Sequence, residues 1–95
     1  MAAYVIAEID IFDPAKFQQY RSQDGPSIEK YGGKFIVRGG ATEKVEGDWD
    51  PKRVVIIEFG SMERARQWYY SPEYKEVINL RHQSAHTNLI FVEGV

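Results

Sequence analysis

The sequence predicts a single α+β domain with the order strand–helix–strand–strand–helix–strand. Three observations carry that expectation. Residues 4–11 alternate with the period of two of a pleated strand. Val54, Val55, Ile56 and Ile57 form a near-continuous apolar run of the kind found in a central strand buried on both faces. Asp13-Pro14 and Ser71-Pro72 each place a capping side chain before a proline, which marks a helix start.

The size of the chain sets the frame for these elements. Its 95 residues fit one domain, residues 1–95, that buries only about 60–68% of the surface its unfolded chain exposes. A domain this small gains from a disulfide, a metal or a partner subunit. The chain has no cysteine, which removes disulfides, thiolate metal sites and cysteine nucleophiles and leaves a partner subunit. A net charge of −2 and a pI near 5.6 have the wrong sign for a general phosphate-backbone binder. No apolar run approaches the roughly 18 residues of a membrane span, and the start Met1-Ala2-Ala3-Tyr4 lacks the regions of a signal peptide. A cytoplasmic location is the expectation.

Each element then follows in order. In the first strand Val5, Ala7, Ile9 and Ile11 share one face, and Tyr4, Ile6, Glu8 and Asp10 the other. The first helix begins at Asp13-Pro14 and carries Phe17 and Tyr20; Gly25-Pro26 is expected to break or kink it. A second segment from Ser27 with Ile28 and Tyr31 is stopped by Gly32-Gly33. Strand two is Lys34 to Arg38, with a bulge or bend expected at Gly39-Gly40. Residues 41–49 read as an extension of it or a hairpin arm, and Arg53 to Phe59 as strand three. Ser61 caps the next helix, whose stripe is Met62, Ala65 and Trp68-Tyr69. Ser71-Pro72-Glu73 restarts it, and Tyr74, Val77, Ile78 and Arg81 continue it. Leu89 to Val92 is the last strand.

Helices on one sheet face bury one side of each strand. Val5, Ala7, Ile9, Ile11, Phe35, Val37, Val55, Ile57 and Phe59 are the expected core. The other face presents Tyr4, Ile6, Glu8, Ile36, Arg38, Val54, Ile56 and Glu58. An apolar patch of that size is avoided by monomeric proteins, and two such sheets packed together would cover it, so the patterning itself predicts a homodimer. Glu8, Arg38 and Glu58 fall on this face of three strands. A buried charge costs several kcal/mol unless paired. The three form either an interfacial ion cluster that fixes dimer register, or a ligand pocket in which Arg38 holds an anion and a surplus carboxylate, Glu58 or Glu8, transfers a proton. A slip of one residue would swap the faces.

Other candidates are weaker. His82 and His86 are spaced by four, but His86 is expected beyond the helix end and no third ligand is well placed, so no metal is expected. Tyr69 and Tyr70 cannot share a helix face; a phenol lining a pocket is weighed against rim packing, and Trp68 against the core. Tyr20, Arg21 and Asp24 precede the expected break, where a mouth between helices and sheet would open. Asp24 as a general base would need burial and a partner; a solvated helix end is the simpler reading. Gly39-Gly40 matches neither dinucleotide nor phosphate-loop spacing, and no cofactor is expected. No Ser-His-Asp triad can be drawn, since Ser61 and Ser71 serve as caps.

Taken together, Tyr31-Gly32-Gly33, Arg38-Gly39-Gly40, Glu46-Gly47, Arg53 through Glu58-Phe59, the run Trp68-Tyr69-Tyr70-Ser71-Pro72-Glu73-Tyr74, Arg81 and Val92-Glu93-Gly94 resemble the DUF1330 family, over nearly the whole chain. The resemblance implies a ferredoxin-like subunit with an antiparallel sheet, in the dimeric α/β-barrel superfamily, and a homodimer. It implies no reaction. The superfamily includes cofactor-independent monooxygenases and heme-degrading enzymes; strand one here has Glu8 where the latter resemble an Asn-containing set. The function expected is a small dimeric domain, an enzyme acting on a small anionic, carbonyl or aromatic molecule between sheet and helices. Arg38, Tyr69, Tyr70 and Arg81 are the candidate ligand contacts, and a non-catalytic ligand-binding or accessory module is the alternative. Nucleic-acid binding is not expected: strand three lacks the glycine and outward aromatics of RNA-recognition domains.

Overall fold

A computed structural model describes residues 1–95. The strands are β1 (Ala3–Ile11), β2 (Lys34–Arg38), β3 (Val54–Phe59) and β4 (Ala85–Glu93); the helices are α1 (Pro14–Lys30), α2 (Met62–Tyr69) and α3 (Pro72–His82). The strands form one sheet in the order β2-β3-β1-β4, with every neighbouring pair antiparallel. All three helices pack on one face. This is a ferredoxin-like α+β fold.

The helix starts follow the sequence closely. Asp13 accepts from the backbone N–H of Lys16, Ser61 from Arg64 and Ser71 from Tyr74. Each cap satisfies one donor that the first helical turn leaves free. The buried core joins Val5, Ala7, Ile9, Val55, Ile57 and Phe59 of the sheet to Phe17, Ile28, Trp68, Tyr74 and Val77 of the helices. Trp68 is its anchor, 1% exposed, its ring centroid 4.2 Å from that of Tyr74 and 5.5 Å from that of Phe59, both pairs tilted.

Four expectations are corrected. Helix α1 runs unbroken through Gly25-Pro26. Pro26 and Ser22, whose carbonyl loses its helical donor, are both exposed, so solvent offsets the loss. Residues 41–49 form no strand; the connection 39–53 is irregular. Strand β4 starts at Ala85, not Leu89, so His86 lies on a strand, stacked on Phe12 at 4.9 Å, and shares no helix face with His82.

The fourth correction concerns β2. Phe35 pairs with Ile57 but Val37 with Ile56 and Arg38 with Val55, so Ile36 is an extra residue in a β-bulge. The bulge falls inside the strand, and Gly39 makes the expected bend at the strand's end. The extra residue reverses the alternation beyond it: Val37 turns to the open face, and Arg38 turns toward the helices.

Candidate active site between sheet and helices

The bulge, the unbroken α1 and the turn between α2 and α3 together build one cavity under the helices. It is narrow, about 30 Å³ and open to solvent at one side, so a ligand larger than a few waters enters only as its walls part. Its walls are mostly apolar, with Phe17, Phe35, Trp68 and Leu89 among them, and its polar groups are Tyr20, Arg21, Asp24, Arg38, Arg53, Tyr74 and Arg81.

Helix α1 supplies the first part. Phe17, Tyr20, Asp24, Ser27 and Ile28 are all buried, spaced as one face of a continuous helix. Asp24 is only 5% exposed. Its Oδ1 accepts from Arg38 Nη2 at 3.3 Å, and Arg38 also donates to the Arg21 carbonyl at 3.0 Å. Burial pushes the Asp24 carboxyl up to about 6, against the downward pull of the Arg38 charge. One turn further on, Ser27 Oγ accepts from Trp68 Nε1 at 3.1 Å, which fixes the indole wall.

The inner end is a chain of phenols and a guanidinium. Tyr20 and Tyr74 hydroxyls lie 2.6 Å apart, and Arg81 Nη1 donates to Tyr74 Oη at 2.9 Å. Burial, then the negative charge of Asp24, pushes the Tyr20 phenol up to about 12; burial pushes Tyr74 higher still. Both therefore remain neutral donors at neutral pH. Arg81 is 4% exposed and forms no salt bridge with a carboxylate. Desolvation works against its charge; the oxygens of Tyr74 and Tyr20 favour it and prevail.

Arg53 enters from the start of β3, over the Phe17 ring at 5.6 Å. Its ionisation is pulled down by burial and by the positive charges of Arg21 and Arg38. Gly39 has φ +74, a backbone conformation that favours glycine, and a Cβ there would displace the Arg53 guanidinium from its place.

The three charges expected together do not meet. Arg38 is in the cavity. Glu8 stays on the open face, accepting from Trp49 Nε1 at 2.9 Å and Asn88 Nδ2 at 3.3 Å. Glu58 faces Lys34 at 3.4 Å. Glu58 pairs with Tyr4, four residues from Glu8, which separates the two carboxylates by about 13 Å along the sheet. The bulge is why: it removes the cation that was to join them. Arg81 lines the cavity as well. Tyr69 and Tyr70 do not; they flank a separate surface groove with Arg81, His82 and Phe91, and Tyr70 is exposed. Asp24 was weighed in the sequence as a solvated helix end, and Arg53 and the Tyr20–Tyr74 pair were not singled out. The signal for Asp24 was the spacing Phe17, Tyr20, Asp24, Ile28, hidden by expecting Pro26 to end that face.

The chain belongs to the DUF1330 family, described as a domain of unknown function, whose pattern matches residues 2–95. No curated protein matches it. Among solved structures it is similar to RPA0582, a protein of unknown function from Rhodopseudomonas palustris. That likeness has a TM-score of 0.81 and 19% identity over 99% of this chain and 82% of the other. It is similar to SnoaB, a cofactor-independent oxygenase from Streptomyces nogalater, with TM-score 0.72 and 14% identity over 99% and 93% of the two chains. A putative antibiotic biosynthesis monooxygenase from Nitrosomonas europaea gives TM-score 0.62 and 11% identity over 100% and 99%. At these identities the likeness establishes the fold alone, the ferredoxin-like one described above.

Proposed function

We propose that this chain is an acid–base enzyme acting on a small aromatic or carbonyl compound bound between sheet and helices, with Asp24 as the proton-transfer group. The observation that carries the reading is a carboxylate buried at the cavity wall, held near neutrality by desolvation and kept from full neutralisation by Arg38. A base tuned toward the working pH is the usual product of such a setting. The step moves a proton from an acidic C–H or O–H of the ligand to an Asp24 carboxylate oxygen. The electron pair stays on the ligand as an enolate or phenolate, and the guanidiniums lining the cavity stabilise it. SnoaB is a cofactor-independent oxygenase, and an electron-rich anion of this kind is a species that can meet dioxygen without a bound cofactor. Oxygen uptake in the presence of a bound ligand tests that extension.

The reading also includes a homodimer. On the open face Ile90, Ile6, Ile56 and Val37 line up across the sheet by strand register, with Ile36 and Val92 beside them, both exposed. A second sheet laid on this band would remove it from water.

Hydrogen–deuterium exchange of enolisable ketones and phenols in D2O, followed by NMR, separates enzyme from binder. The expected result is exchange above the buffer rate that falls by about a hundredfold or more in Asp24→Asn. Binding with exchange no faster than in buffer would overturn catalysis and leave the ligand-binding module.

A further inference from the structure

The balance of charge in the cavity is unequal. Arg21, Arg38, Arg53 and Arg81 line it, and Asp24 is the one carboxylate among its lining residues. Asp24 pairs with Arg38 alone, and Arg21 is exposed to solvent. Of the rest, two guanidiniums are left without an anionic partner, and the Nε of each, Arg53 and Arg81, is buried with no hydrogen-bond acceptor. Buried donors without acceptors are costly, and a buried cation without a counter-charge is more so. The chain as a whole is net negative, so this concentration of positive charge is local to the cavity.

The two unmatched cations also sit at different levels. Arg81 belongs to the Tyr20–Tyr74 hydroxyl pair, and Arg53 to the level of Asp24 and Arg38, whose fields act on it. Tyr20 and Asp24 are four residues apart on α1, a separation of about 6 Å along the helix axis. Between the levels the walls are aromatic: Phe17, Phe35 and Trp68.

Building on the reading above, we propose that the ligand is a flat aromatic or conjugated molecule carrying two acidic oxygen groups about 6 Å apart, a carboxylate between Arg38 and Arg53 and a hydroxyl or enol oxygen at Tyr20, Tyr74 and Arg81. The outer carboxylate receives the donors of Arg53 and shares Arg38 with Asp24. The inner oxygen takes the place of one phenol as partner of the other and of Arg81. Ionised at both ends, such a ligand matches the two unpaired positive charges. The apolar walls favour a planar body. Gly39 belongs to the same device, since its missing side chain lets Arg53 lie over Phe17.

4-Hydroxybenzoate is the probe, with benzoate and phenol as its two halves. Each is titrated into 15N-labelled protein and read by amide shifts of Tyr20, Asp24 and Val55. The proposal expects 4-hydroxybenzoate to shift these amides and to bind about tenfold or more tighter than either half. Arg53→Gln is expected to weaken 4-hydroxybenzoate to the level of phenol, and Tyr74→Phe to the level of benzoate, both variants keeping the dispersed amide spectrum of the folded chain. Benzoate binding in the cavity as tightly as 4-hydroxybenzoate would overturn the two-ended ligand and leave the cavity reading standing. If none of the three moves the cavity amides, this inference is overturned; the proton-transfer reading is then judged separately by whether the Asp24 carboxyl carbon titrates near 6.

Discussion

The two faces of the sheet depart from ordinary economy in opposite ways. The covered face buries charge: Asp24 and Arg81 are each about as buried as the aliphatic core around them. The open face exposes grease: Ile36 and Ile90 are 47% and 58% exposed on the two edge strands of the sheet. Neither arrangement favours an isolated chain. The first makes sense if the covered face receives a ligand, the second if the open face receives a protein. On the proposed reading, one sheet separates recognition of a small molecule from recognition of a partner by the alternation of its side chains.

That division can be broken at several points. The largest effect is expected at Trp68, which holds the covered face together. Trp68→Ala should cost about 3–5 kcal/mol in urea unfolding, and a loss under about 1 kcal/mol would mean the cavity wall is not part of the core. Ile6→Lys places a charge in the centre of the open face. It should weaken self-association about a hundredfold or more in sedimentation while leaving the fold and ligand binding in place; an unchanged association constant would detach the open face from the dimer.

Asp24→Asn should raise stability at pH 7 by about 1–3 kcal/mol while removing proton transfer. The sign follows from the fold holding this carboxyl at about 6 against its ordinary 3.8. The folded chain binds the proton more tightly than the unfolded one. Its contribution is complete below about pH 4 and is lost as pH rises through about 6. Unfolding curves of the natural chain should therefore weaken across that window relative to the Asn variant, and parallel curves would show that Asp24 is not desolvated. The smallest effect belongs to Glu58→Gln, within about 0.5 kcal/mol and with ligand binding unchanged. A Glu58→Gln variant that lost ligand would restore the open face as the site.

Much of this division was legible in the residues. The alternation of Val5, Ala7 and Ile9 with Tyr4, Ile6 and Glu8 fixes both faces of β1, and Asp13, Ser61 and Ser71 mark three helix starts through chemistry that acts within a few residues. Arg38 and Arg81 were singled out by type and both line the cavity, though the face given to Arg38 was the wrong one. What escaped depends on longer range. A bulge is decided by what the neighbouring strand offers, so nothing in Lys34 to Arg38 announces that Ile36 is supernumerary. The persistence of α1 past Pro26 depends on tertiary packing of Ile28 and Ser27, which outweighs a local breaker. Those two misreadings separate the expected charge cluster from the cavity found: one turned Arg38 away from Asp24, the other took Asp24 out of the buried stripe.

The extra residue in β2 has a consequence for how such a protein changes over time. β2 is an edge strand, bonded to β3 alone, so shortening it by one position disturbs a single ladder. Loss of the codon for Ile36 would leave Phe35 opposite Ile57, Val37 opposite Ile56 and Arg38 opposite Val55, so simple alternation returns with the cation still in the pocket. A single in-frame deletion would thus straighten the strand and spare the pairing of Arg38 with Asp24. In chains of this architecture, a gap at Ile36 then marks a straightened edge, whereas a gap at Val37 or an added residue beside it would reverse the face that Arg38 takes.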